Sequence, residues 1–188
     1  MRVTGGGARG RRLRAGKAPG LRPTSSRVRQ ALFNLLGARI AGCSFLDLYA
    51  GTGSVGVEAL SRGARLVVFV EQDRSSVQTI RLNLEDAKPA GTARVLATTV
   101  EAGLRDLQAE GALFDVVYAD PPWDPGLPPA VFEGAARRLQ QGGVLVVEHR
   151  TSRPLEVPES LALRPGRSYR HGDATLAVFH RDRPGEGS

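Results

Sequence analysis

Cysteine is almost missing from this sequence: Cys43 stands alone among 188 residues, so no internal disulfide framework is available. Histidine is scarce as well. His149, His171 and His180 are scattered without the spacing of metal ligands, and the expectation is a site that works without metal. No apolar run approaches the roughly 18 residues that a membrane-spanning helix needs. The arginine-rich start is not followed by the apolar stretch of a secretory signal, so a cytoplasmic chain away from membranes is expected. Acidic residues are missing from the front, the first being Asp47. Residues 1–46 hold ten basic groups and no acid, whereas the other 142 residues carry 16 basic and 19 acidic groups, so the front supplies all of the net +7. A unipolar basic segment attracts a polyanion, most commonly nucleic acid. A solubilising tail is the competing explanation, as is a coding bias, because 24 of the 26 cations are arginine.

What is present suits one α/β domain. The chain is long enough to bury one sizeable core, and 41% of its residues are hydrophobic. Residues 1–24, rich in Gly, Arg and Pro, read either as a glycine-turned hairpin or as an unfolded basic arm. From Ser25 or Ser26, Val28, Ala31, Leu32, Leu35 and Leu36 recur at helical spacing up to Gly37. Short apolar runs then alternate with amphipathic helices. Strands are predicted at 44–49, 66–70, 93–97, 114–119 and 144–149, and helices near 54–62, 74–86, 100–109 and 129–140. Such alternation with continuous apolar strands means a mostly parallel sheet covered on both faces. The segments 161–164 and 174–180, with no helix between them, look like an antiparallel closing pair. The domain therefore runs over 25–181, and 182–188 is predicted to fray.

Two loops carry chemistry. The first, Asp47-Leu48-Tyr49-Ala50-Gly51-Thr52-Gly53-Ser54-Val55-Gly56, follows the first core strand and opens a helix. Glycines at 51 and 53 let backbone approach a ligand, and the helix N-terminus behind them presents amides. Glu71 ends the next strand 20 residues after Gly51, the separation that brings a carboxylate to a ribose diol. Gly51, Gly53 and Gly56 also satisfy the dinucleotide fingerprint. Asp47 shifts the balance, because an acid there repels a pyrophosphate but accepts from the ammonium of an amino-acid moiety, as in S-adenosylmethionine.

The second loop, Asp120-Pro121-Pro122-Trp123, follows the fourth core strand. Two prolines withhold amide donors, so the loop presents acceptors: the Asp120 carboxylate and the Pro121 carbonyl. Such a loop suits a planar amino group, and Trp123 offers a face on which a base can stack, worth roughly 1–3 kcal/mol. In isolation it would pass for a rigid turn. After a strand of a doubly wound sheet it lies where ligands gather.

These motifs resemble motifs I, II and IV of class I S-adenosylmethionine-dependent amino-group methyltransferases. With Arg2-Val3, Gly5-Gly6, Arg9-Gly10-Arg11, Gly20-Leu21-Arg22-Pro23-Thr24, Arg27-Val28-Arg29 and Leu32-Phe33-Asn34, the chain resembles the RsmD family of small-subunit rRNA guanine-N2 methyltransferases. The resemblance covers all but the tail. It implies a Rossmann-like, seven-stranded sheet whose first and fourth strands are neighbours, and methylation of one guanine N2 in 16S rRNA; a monomer acting on a small subunit or its assembly intermediate is expected. By the same carry-over, Asp47, Gly51 and Gly53 hold the methionine part of the cofactor, Tyr49 and Thr52 also contact the cofactor, and Thr24 with Arg22 or Arg27 lies near its carboxylate and the substrate. Glu71 and Gln72 serve the ribose. Thr99 and Val100, standing where such enzymes often carry Asp or Asn, serve the adenine. Asp120, Pro121, Pro122 and Trp123 form the catalytic loop, and Arg2, Arg9, Arg11, Arg12, Arg22 and Arg27 contact RNA. DNA adenine-N6 methyltransferases (D-P-P-Y) and release-factor glutamine methyltransferases (N-P-P-Y) share the second motif. A non-enzymatic RNA-binding assembly protein is the alternative of a different class.

Overall fold

The computed structural model describes residues 1–16, 25–158, 161 and 163–182. Helix α1 (Ser26–Leu36) is capped by Ser25, whose hydroxyl accepts from the Val28 amide, and stops at Gly37. The alternating segment follows as β1 (Ser44–Leu48), α2 (Ser54–Ser61), β2 (Leu66–Glu71), α3 (Arg74–Ala87), β3 (Thr92–Ala97), α4 (Val100–Ala109), β4 (Phe114–Ala119), α5 (Pro129–Arg137) and β5 (Leu139–Arg150). Three further strands close the sheet: β6 (Arg164–Pro165), β7 (Tyr169–His171) and β8 (Ala174–His180).

The strand order is β3-β2-β1-β4-β5-β8-β6, with β7 also paired to β8. The β1–β5 strands run parallel, and β8 is antiparallel to β5, β6 and β7. The sheet has the seven strand positions expected, the last of them built from two segments. The two short segments β6 and β7 pair with opposite ends of β8, so together they occupy one strand position. The order reverses between β1 and β4, the point at which open α/β sheets bind ligands beyond the strands' carboxyl ends.

Three segments differ from the sequence pattern, the first being the strand expected at 161–164, which is Arg164–Pro165 in the structure. The last helix ends at Arg137 rather than near 140, and β5 begins at Leu139 rather than Val144. Gly142 and Gly143 lie inside this strand, where the register to β4 shifts, instead of ending a helix. Strand β3 is mostly exposed, which explains its weak apolar signal: it is an edge.

Both faces of the sheet are covered. Phe45, Phe69, Val116, Tyr118 and Val146 pack on one side with α1, α2 and α3 residues, while Leu46, Val68, Val117 and Leu145 pack on the other with those of α4 and α5. Gly56 is needed for this contact, since a Cβ there would lie 2.2 Å from the Phe69 ring. Residues 1–16 fold back as a hairpin joined by the Arg2–Arg12 bridge, and Val3, Ala8 and Leu13 are buried in the first of these clusters. Arg22, Thr24 and the tail from 183 onward lie outside the described residues.

Candidate active site

The end of β1 supports both loops. The Ala50 amide donates to the Val70 carbonyl (3.1 Å), and the Gly53 amide donates to the Ala50 carbonyl (2.8 Å), closing the glycine turn. Tyr49, at φ +58°, adopts a left-handed conformation uncommon for a bulky residue. The Asp120 amide reaches the Leu48 carbonyl at 3.4 Å, which joins the proline loop to the strand carrying the glycine turn.

Between the loops lies one cavity of about 760 Å³. Tyr49, Gly51 and Thr52 of the glycine turn border it, as do Glu71, Gln72 and Val100, and Asp120, Pro121, Pro122 and Trp123 of the proline loop. Thus ten of the residues singled out from sequence share one space. Glu71 is anchored from below: one oxygen accepts from the Gly51 amide and the other from the Asp73 amide, both at 2.8 Å. A carboxylate has about four acceptor sites, so these two bonds fix its orientation while leaving capacity for hydroxyl donors. Gly53, left-handed at φ +74°, caps α2 without a side-chain bond, so the first-turn amides receive no acceptor from their cap.

Several expected residues lie elsewhere. Asp47 is 1% exposed and absent from the cavity wall; its carboxylate accepts from the Gly56 amide at 2.9 Å. Burial, reinforced by Glu71 and opposed by the Gly56 bond, pushes its pKa up to about 8. It ties the first turn of α2 beneath the glycine turn. Gly53 likewise lies behind the wall. Thr99 does not border the cavity, because its hydroxyl accepts from the Ala102 amide as the cap of α4. Arg2, Arg9, Arg11, Arg12 and Arg27 are exposed and do not line the cavity, although Ser25 and Val28 on either side of Arg27 do.

Other residues escaped the sequence reasoning. Glu148, at the end of β5 and 5% exposed, borders the cavity and accepts from the Tyr118 hydroxyl at 2.8 Å. Its signal was its place, an acid at the carboxyl end of a central strand. Arg150 lies 5.7 Å from the centre of the Trp123 ring, within cation–π reach. His171, the last residue of β7, and Asp173, in the turn to β8, also border the cavity. Buried Asn83 donates to the Thr52 carbonyl (2.9 Å) and accepts from the Arg14 amide (2.7 Å), tying the hairpin to the glycine turn. Only a fold could reveal that bridge.

Comparison with known proteins agrees with this geometry. A family model described as Conserved hypothetical protein 95 matches residues 1–180. The Ribosomal RNA small subunit methyltransferase D of Escherichia coli K12 is 35% identical, over 99% of this chain and 92% of that protein. A solved Escherichia coli structure superposes with a TM-score of 0.82 at 33% identity, covering 97% of this chain and 98% of that one. The rRNA methyltransferase AviRa of Streptomyces viridochromogenes, 17% identical, shares the fold with a TM-score of 0.69 over 88% of each chain. The fold is that of class I methyltransferases, and the chain belongs to the RsmD family, the one matched by this family model.

Proposed function

We propose that the protein transfers a methyl group from S-adenosylmethionine to the exocyclic N2 of a guanine in 16S rRNA. Family membership supports the coarser statement, S-adenosylmethionine-dependent rRNA methylation. The observation that carries the finer one is the shared cavity, which both the glycine turn and an acceptor-rich, proline-stiffened loop border.

The cavity fits the cofactor. Its volume lies within the roughly 300–1,000 Å³ of small-molecule sites. An anchored carboxylate, Glu71, suits a ribose diol, and the uncapped start of α2 lies behind the turn. Tyr49, Gly51 and Thr52 would hold the amino-acid part, with Thr24 near its carboxylate. Glu71 and Gln72 would hold the ribose, and Val100 would pack on the adenine. When bound, the cofactor supplies an activated methyl group on a sulfonium, so no nucleophilic residue is required. Asp120 and the Pro121 carbonyl accept the two N–H bonds of the amino group and aim its lone pair across the cavity. As the C–S bond breaks and the N–C bond forms, Asp120 stabilises the positive charge that develops on nitrogen or takes the proton that nitrogen gives up. Trp123 stacks one ring face on the base, while Arg150 lies near the indole.

A guanine N2 within a paired helix is engaged, so the target is an unpaired or extruded base in an rRNA loop. Arg2, Arg9, Arg11 and Arg12 on the hairpin, together with Arg22 and Arg27, contact phosphates, and the enzyme acts as a monomer on the assembling small subunit. Methyl-labelled cofactor offered with small subunits, naked 16S rRNA, DNA or release factor tests the reading. Label is expected in 16S rRNA, recovered after digestion as N2-methylguanosine. Label in DNA, in glutamine or in another nucleoside rejects it.

A further inference from the structure

Glu148 is one of the carboxylates bordering the cavity to which the reaction above assigns nothing. Glu148 is 5% exposed and borders the same space as Asp120, Pro121 and Trp123. Strands β4 and β5 are parallel, with Ala119 opposite Val147, so the next residues along, Asp120 and Glu148, follow side by side. Their backbones are then about 4.8 Å apart, the spacing of neighbouring strands. Tyr118, two residues before Asp120, shares its face of the strand. Its phenol donates to Glu148 at 2.8 Å. Burial first, then the charges of Asp120 and Glu148, hold the Tyr118 pKa well above its ordinary value, so the phenol remains a donor. Glu148 is thereby oriented as an acceptor. Asp120 and Glu148 form two adjacent acceptor groups on one edge of the cavity.

Two adjacent acceptors select a base edge with two adjacent donors. Guanine presents one, N1–H beside the N2 amino group, whereas adenine carries an acceptor at N1. A buried carboxylate facing that acceptor is repelled and loses its bond, and mismatches of this kind discriminate strongly. Reading a flipped base on its Watson–Crick edge is the usual route to selectivity. We propose that Glu148 is a specificity-determining residue that accepts N1–H of the target guanine while Asp120 and the Pro121 carbonyl hold its N2 amino group. The inference rests on the guanine-N2 reading above.

The test uses 16S rRNA ligated around a synthetic segment carrying, at the mapped target, guanosine or 2,6-diaminopurine riboside. The latter keeps the 2-amino group but presents a bare acceptor at N1. The wild-type protein is expected to favour guanosine by about 100-fold or more in kcat/KM. Glu148→Gln, whose amide can turn an N–H toward N1, is expected to narrow that ratio at least tenfold, with cofactor Kd and Tm unchanged. A merely structural role would lower both substrates equally, and an unchanged ratio in the variant overturns the assignment. If the variant fails to fold, the wild-type ratio decides: near unity it overturns the assignment, and near 100 it supports it. Guanosine methylated at N2 with no selectivity against diaminopurine defeats the role of Glu148 alone, whereas guanosine left unmethylated at N2 defeats the reading of the whole site.

Discussion

Asp47 is conspicuous in the sequence, and the fold buries it to 1% exposure. Its place at the end of the first core strand, just before the glycine turn, is visible in the sequence, and from there it reads as a partner for a cationic ligand. In the fold its side chain points into the layer beneath the turn, where it accepts the Gly56 amide and stands opposite Tyr118 in the sheet register. Burial raises its pKa to about 8, against roughly 3.9 for an ordinary aspartate in the unfolded chain. The folded protein therefore retains a proton that the unfolded chain releases. The stability from this group is fully present below about pH 4 and is lost as the pH rises through about 8. Asp47→Asn keeps an acceptor for Gly56 but cannot ionise. Between pH 5 and pH 8 the Tm of the wild-type protein should fall further than that of Asp47→Asn, by on the order of 5 °C. Parallel melting profiles would contradict a buried, protonated Asp47.

At the scale of elements, the basic front divides into cations that build the fold and cations left for a partner. Arg29 on α1 is wholly buried, 3.4 Å from Glu58 of α2, and donates to the Arg2 carbonyl at 2.7 Å. Glu58 also accepts the Thr4 amide (2.8 Å), the Thr4 hydroxyl (2.6 Å) and Arg62 Nε (2.9 Å). The hairpin is fastened to α2 beside this network. Gly6, at φ +76°, lies so close to the end of α2 that a Cβ would sit 1.7 Å from the Ser61 carbonyl oxygen. Arg9, Arg11 and Arg12 remain exposed on the hairpin. Glu58→Ala leaves Arg29 buried without its partner and should cost about 3–5 kcal/mol, or on the order of 10 °C in Tm. Replacing Arg9, Arg11 and Arg12 by Ala should leave Tm within about 2 °C but lower the salt slope of RNA binding by about 2–3. Calorimetry and binding titrations at several salt concentrations measure both. An unaltered salt slope would return the front to a solubilising role.

For the whole molecule, the architecture was legible wherever one physical pattern dominated. Continuous apolar strands between amphipathic helices placed β1, β2 and β4 within a residue, because strands buried on both faces leave little ambiguity. Gly142-Gly143 misled at β5, since glycine permits a bulge within a strand as readily as a helix stop. Strand β7 was missed, being three residues at an exposed edge. The two loops were legible because their residues are chemically unusual, whereas Glu148, Arg150 and Asn83 gain meaning only from neighbours distant in sequence. What joins these parts is the adjacency of β1 and β4, which makes one cleft of two loops about 70 residues apart. Asp120→Ala tests that union most directly, with methyl transfer to small subunits and cofactor affinity measured on the same preparation. Turnover should fall by at least about 1,000-fold while cofactor Kd changes less than about threefold. Near-normal transfer by the variant would contradict the account.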